Sequence, residues 1–229
     1  MGYRRAIHNF EIFGQQFDLV KNKFKNYGFN VQKIYQIRKD RNVYMVEIDD
    51  QKHIRLDIYK NKIPHRMFRY QNYLHRAGVN VAKLIALPVV NGRQWRVSEW
   101  IEGVRVENVW DKPEVFIKSG EQMAKLNLVK DLKTNNFLYL SDFNKINEIW
   151  TADNEVYFID LSVYPTNDVD RFVVKTLVMG LRTLTRICYF LEGYRKFRSI
   201  DKIIDILITD KFRYKRFSIL QDPCEDIQW

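Results

Sequence analysis

The sequence predicts an α+β fold in which a small antiparallel sheet precedes a mainly helical region. Residues 31–37 (VQKIYQI), 42–48 (NVYMVEI) and 53–59 (HIRLDIY) alternate apolar and polar side chains, and the short polar stretches between them suit hairpins. Residues 119–129 and 172–191 carry apolar side chains at helical spacing. Between those two, residues 138–162 (LYLSDFNKINEIWTADNEVYFIDLS) read as a loop and then a β-hairpin.

Composition narrows the classes. The 229 residues are 46% hydrophobic, enough for a sizeable core in one domain or two small lobes. No apolar run approaches the ~20 residues that span a bilayer, and no secretory signal is visible at the start. Cys188 and Cys224 are too few and too far apart for a disulfide framework or a zinc site, so a cytoplasmic setting is the expectation. Lys and Arg outnumber Asp and Glu by 38 to 28, a net charge of +10 that favours an anionic partner. Nucleic acid, an anionic membrane face and a phosphorylated substrate all qualify. No helix-turn-helix, zinc-finger or RNP motif is present, so specific nucleic-acid recognition is not expected.

Taken in order, residues 16–27 place Phe17, Val20, Phe24 and Tyr27 on one helix face, with Gly28 as a stop. The three strands follow. Arg55 stands between Ile54 and Leu56 on the third, where an arginine is either a solvated face or a phosphate ligand. Residues 64–78 read as a helix through Met67, Tyr70, Leu74 and Ala77, closed by Gly78. That helix has no acidic residue. Residues 95–103 (WRVSEWIEG) read as a strand running into a turn at Glu102-Gly103. Asp168 and Asp170 precede the helix at 172–191, whose Lys175, Arg182 and Arg186 exclude a membrane span. The last stretch alternates aromatics with basic residues at 195, 196, 198, 211, 213, 215 and 216. These suit anionic lipid, nucleic-acid phosphates or a solvated surface.

The hairpin region carries the chemistry. Asp142 and Asn147 are five apart, and the apolar run Val156–Ile159 ends on the carboxylate of Asp160. A charge ending a buried strand needs a cation or strong donors. Magnesium-dependent phosphoryl transfer uses these groups: one carboxylate takes the hydroxyl proton, while an amide oxygen and a second carboxylate hold the metal. A plain hairpin with Asp and Asn in its turns is the other reading of the same residues.

The order D-x-x-x-x-N, hairpin, F-I-D resembles the kinase-like phosphotransferase group that includes the aminoglycoside phosphotransferases, choline kinases and lipopolysaccharide core kinases. Glu99-Trp100-Ile101-Glu102-Gly103 resembles the linker between the lobes of that group, and Ala124, Leu126 and Asn127 stand where it has L-A-x-L-H. The resemblance implies a two-lobed protein-kinase-like fold, with an N-lobe at 1–98, a hinge at 99–103 and a C-lobe at 104–229. It also implies ATP- and Mg2+-dependent phosphorylation of a hydroxyl on a small molecule or glycan, including a lipopolysaccharide-type core sugar. In that reading Asp142 is catalytic and Asn147 and Asp160 bind metal. Arg55 contacts the nucleotide phosphates, and the backbone near Glu99, Trp100 and Ile101 binds adenine.

The chain departs from the pattern at Leu140-Ser141, where the group has His-Gly, and by the missing acid on the helix at 64–78. The competing expectation is therefore a degenerate kinase fold, or a basic binding protein for nucleic acid or membrane, without phosphotransfer. Little sequence follows the helical core, so a large acceptor-binding subdomain is not expected. The basic tail suggests an anionic or membrane-presented acceptor and peripheral contact at the inner membrane face.

Overall fold

A computed structural model describes residues 10–37, 42–49, 52–60, 66–143, 145, 147–181 and 183–209. In chain order the elements are β1 (Phe10–Glu11), α1 (Gln15–Lys25), β2 (Val31–Gln36), β3 (Val43–Ile48), β4 (His53–Tyr59), α2 (Arg66–Arg76), β5 (Leu84–Ala86), β6 (Val89–Val90) and β7 (Arg93–Glu99). There follow β8 (Val104–Arg105), α3 (Pro113–Leu128), β9 (Phe137–Leu140), β10 (Glu148–Trp150), β11 (Val156–Phe158), β12 (Val163–Thr166), α4 (Val169–Gly180), α5 (Leu184–Tyr194) and α6 (Asp201–Thr209). The chain divides into two compact units, one up to Phe68 together with Ala82–Trp100, the other Arg69–Val81 together with Ile101 onward. The division at Trp100 and Ile101 falls within the stretch expected to be a hinge. The segment Arg69–Val81 groups with the second unit rather than with the 1–98 span, because Tyr70, Leu74, Val79 and Val81 bury in the helical core.

The first unit is an antiparallel sheet in the order β1-β2-β3-β4-β7-β5, with β6 also paired to β7. Strand alternation sends Tyr44, Val46, Ile54 and Leu56 into a core shared with Val20 and Phe24 of α1 and with Trp95 and Val97 of β7. On the other face of β4, Arg55 and Asp57 point the same way, as residues two apart must. Asp57 stands opposite Arg96 in the β4–β7 register.

The second unit is built on the α3–α5 pair. Gly120 and Gly193 let the two helices touch backbone to backbone: a methyl group on Gly120 would lie 2.0 Å from the Phe190 carbonyl oxygen, and one on Gly193 1.8 Å from that of Ile117. Met123, Leu126, Phe190, Leu191 and Tyr194 fill the core with Leu138, Leu140 and Phe158 of the strands. The sequence reads 172–191 as one helix, whereas the chain forms two, α4 and α5. The break follows Gly180, and Thr183 starts α5 by accepting the Arg186 backbone N–H on its side chain, a normal N-cap. No helix among the described residues is long and apolar enough to cross a membrane.

Two small antiparallel sheets frame the region between α3 and α4. β9 pairs with β12, and β10 pairs with both β11 and β8. Gly103 makes the β8–β10 approach possible, since a methyl group there would meet the Trp150 carbonyl oxygen at 2.3 Å. Asn127, fully buried at the end of α3, donates to the Leu138 carbonyl at 2.8 Å and accepts from the Tyr194 hydroxyl at 3.0 Å. It thereby fixes the strand that leads to Asp142. A second anchor is Asp131, which accepts from the Tyr70 hydroxyl, from Arg69 at 3.2 Å and from the Thr134 backbone N–H at 2.9 Å. The Tyr70 bond is the main reason its carboxyl falls to about 2.

Candidate active site

The two small sheets bring Asp142, Asn147 and Asp160 to one region of the second unit. β9 ends at Leu140, and the backbone N–H and hydroxyl of Ser141 both donate to the Ser162 carbonyl, each at 2.9 Å. Asp142 is thus the first residue to leave the pair, and it is exposed. At the other end of the loop, Asn147 donates its side-chain N–H to the Asp142 carboxylate at 3.1 Å and to the Asp142 carbonyl at 3.3 Å. The Asn147 carbonyl accepts from the Ile159 backbone N–H at 2.9 Å, which extends the β10–β11 hairpin by one pair. Asp160 is the next residue. It is half-buried, and its carboxylate has no hydrogen bond or ion pair among the described residues.

The donor set suits a hard divalent cation. With its N–H committed to Asp142, the amide of Asn147 has its oxygen left to bind, and the Asp160 carboxylate is uncommitted. Oxygen ligands of these two kinds are what Mg2+ takes from a protein. Among the described residues no cluster of three or more His, Cys, Asp or Glu side chains forms a metal cage.

In the first unit, Arg55 is committed to Asp57. Its Nε lies 3.1 Å from both Asp57 oxygens and a terminal nitrogen lies 3.0 Å from Oδ1. Arg96 holds the same carboxylate from β7, through Nε at 2.8 Å and a terminal nitrogen at 2.6 Å. A buried carboxylate between two guanidiniums leaves this trio with one net positive charge. Glu99 ends β7, donates its backbone N–H to the Lys83 carbonyl and accepts the Lys83 backbone N–H on its side chain, both at 3.0 Å. The N–H of Glu99 is therefore in use. Trp100 and Ile101 have no backbone hydrogen bond among the described residues.

A cleft of about 640 Å³ opens beside Asp142 within the second unit. One wall is the Tyr139–Phe172 stack, with ring centres 4.1 Å apart. Trp110 also lines the cleft, with Lys145 Nζ 5.4 Å and the Arg186 guanidinium 5.3 Å from its ring centre. Lys175 of α4 adds a third cation. Burial pulls the Arg186 guanidinium below its ordinary value. Asp168 and Asp170 are both ion-paired: Asp168, at the N-cap position of α4, with Lys202 at 3.1 Å, and Asp170 with Arg198 at 3.1 Å. Sequence reasoning missed Asp57 and all the cleft residues beyond Asp142. Only Lys145, inside the loop from Asp142 to Asn147, left a local signal.

Comparison with solved structures places this arrangement in a known fold. The chain superposes on spectinomycin phosphotransferase APH(9)-Ia in its AMP-bound complex with a TM-score of 0.63 at 11% identity, over 90% of this chain and 93% of that one. The same protein in complex with ADP and spectinomycin gives 0.62 at 13% identity, over 90% and 85%. The chain therefore has the two-lobed, kinase-like fold of a phosphotransferase. No family model matches the sequence, and no curated protein matches it either.

Proposed function

We propose that the chain is an ATP-dependent phosphotransferase that acts on a hydroxyl group of a small molecule. One observation carries this reading: the hydrogen bond from Asn147 to Asp142, with Asp160 beside it at the hairpin end, in a fold shared with a nucleotide-binding phosphotransferase. The acceptor oxygen attacks the γ-phosphorus, the bond from that phosphorus to the bridging oxygen breaks, and ADP leaves. Asp142 orients the hydroxyl and takes its proton. Asn147 and Asp160 hold magnesium, which when bound neutralises the charge on the nucleotide phosphates. Arg55, held in place by Asp57, meets the phosphates, and the backbone of Glu99, Trp100 and Ile101 meets the adenine; of these, Trp100 and Ile101 have backbone groups to spare.

A glycan hydroxyl, such as that of a lipopolysaccharide core sugar, is the narrower form of the proposal and rests on the sequence resemblance alone. A cytoplasmic protein in peripheral contact with the inner membrane face is a second narrower form. Its support is the net charge of +10, but Lys211, Arg213, Lys215 and Arg216 lie outside the described residues. Of the upstream cluster, Lys196 and Arg198 are already in ion pairs with Glu121 and Asp170.

Thermal melting with ATP, with and without Mg2+, tests the reading, because a ligand of the folded state alone raises the melting temperature. The expected result is a magnesium-dependent rise, together with ADP release that needs a hydroxyl compound. A rise without any transfer would select the degenerate-kinase alternative. No rise under either condition would remove the nucleotide from the function.

A further inference from the structure

We propose that the cleft beside Asp142 selects an anionic acceptor, a hydroxyl compound whose phosphate or carboxylate is held by Arg186, Lys145 and Lys175. The inference rests on the reading of Asp142 as the group that receives the acceptor proton. It starts from an imbalance of charge. Three cations line the cleft, and Asp142 is its sole acidic lining residue among those described. None of the three has an ion pair within the described residues.

Arg186 is the most telling of them. It is half-buried, and its guanidinium lies against one side of an edge-on ring pair, 5.3 Å from the centre of Trp110 and 5.8 Å from that of Phe116. Ring faces offset part of the desolvation of a guanidinium but leave its N–H fork unsatisfied. A planar carboxylate or a phosphate matches that fork. Lys145 and Lys175 are exposed and add charge without fixed geometry. The Tyr139–Phe172 stack gives the body of the acceptor an aromatic surface, which suits the apolar face of a sugar ring.

The arrangement also argues against a cationic acceptor. A protonated amine in the cleft would meet three like charges, and the one carboxylate there is already hydrogen-bonded to Asn147.

Four hexoses of nearly equal size separate the possibilities: glucose 6-phosphate, glucuronate, glucose and glucosamine. Their binding to the full-length protein is measured by titration calorimetry at millimolar concentration, without ATP. The two anions should bind at least ten-fold more tightly than glucose, and glucosamine should bind least. The ranking of glucose 6-phosphate against glucuronate distinguishes a phosphate from a carboxylate as the preferred anion. Arg186→Gln should remove most of that preference, and Lys175→Gln, at an exposed site, should weaken it several-fold while the protein stays folded. Equal affinity for all four sugars, no binding by either anion, or an unchanged preference in both variants would overturn the proposal. Because the measurement omits ATP, it is independent of transfer. Anions that bind but are never phosphorylated would refute the phosphotransferase reading and leave the anion site standing.

Discussion

The side-chain amide of Asn147 donates to the carboxylate of Asp142 across the loop that joins β9 to β10, at 3.1 Å. The bond fixes the rotamer of an exposed carboxylate that no other described residue restrains. It also turns the amide oxygen of Asn147 away from Asp142. One interaction therefore aims two groups, the proposed proton acceptor and the proposed metal ligand.

Asp142→Asn should leave the fold intact, since the side chain is exposed and its only described partner is Asn147. Turnover should fall by roughly 10²- to 10⁴-fold, the usual worth of a positioned proton acceptor. Initial rates of ADP release with the best acceptor are the measurement. A folded variant with near-normal turnover would take Asp142 out of the chemistry.

Asp160→Ala should separate binding from stability. The carboxylate is half-buried without a described donor, so its loss should not lower the melting temperature of the metal-free protein. The magnesium-dependent part of the ATP-induced rise should disappear, because the ion loses a charged oxygen ligand. An unchanged magnesium titration would count against Asp160 as a ligand.

How much of this was legible beforehand depends on how local each signal is. Asp142, Asn147 and Asp160 lie within 19 residues, bounded by turn chemistry and a buried strand, so loop and hairpin could be read in one pass. The strands of the first unit were equally plain, because alternation in β3 and β4 is a two-residue pattern. The partner of Arg55 was not. The family resemblance points to an acid on the following helix, whereas Asp57 stands two residues along the same strand and its second partner, Arg96, is 39 residues further on, fixed by register. The cleft was hidden for a similar reason. Lys175 and Arg186 fall in what periodicity reads as one helix, and only the break after Gly180 separates α4 from α5. Apolar spacing continues through that break, so it outweighed the weaker signals of a glycine and a capping threonine.

Gly193→Ala should destabilise the chain although alanine is the better helix former. Propensity favours the substitution by about 1 kcal/mol. The new methyl group, however, would stand 1.8 Å from the Ile117 carbonyl oxygen and 2.7 Å from its carbon, and backbone cannot rotate aside. Forcing α3 and α5 apart disturbs the contacts of Phe116, Met123, Phe190 and Tyr194, so the net loss should be roughly 3 kcal/mol or more. Urea denaturation gives the value. A variant as stable as the parent would mean that the helices do not meet at this point.

Glu148→Gln should change how stability depends on pH. Glu148 follows Asn147, opens β10 and is 1% exposed. Neither carboxyl oxygen has a hydrogen bond of normal geometry, although the nearby Ser119 hydroxyl opposes the main effect slightly. Burial pushes the carboxyl from 4.5 up to about 8. Between those values the folded chain keeps a proton that the unfolded chain has released. The contribution of Glu148 is therefore fully present below pH 4.5, falls as pH rises, and is lost above about 8. The slope of such a single-proton difference is of order 1 kcal/mol per pH unit. Glutamine does not titrate, and the constant loss from burying its amide does not vary with pH. Urea midpoints of the metal-free protein at pH 5, 6, 7 and 8 should thus show the variant gaining on the parent at every step and exceeding it at pH 8. A difference that stays flat over the range would show that Glu148 is already ionised, and would require a cation or donor at its carboxylate.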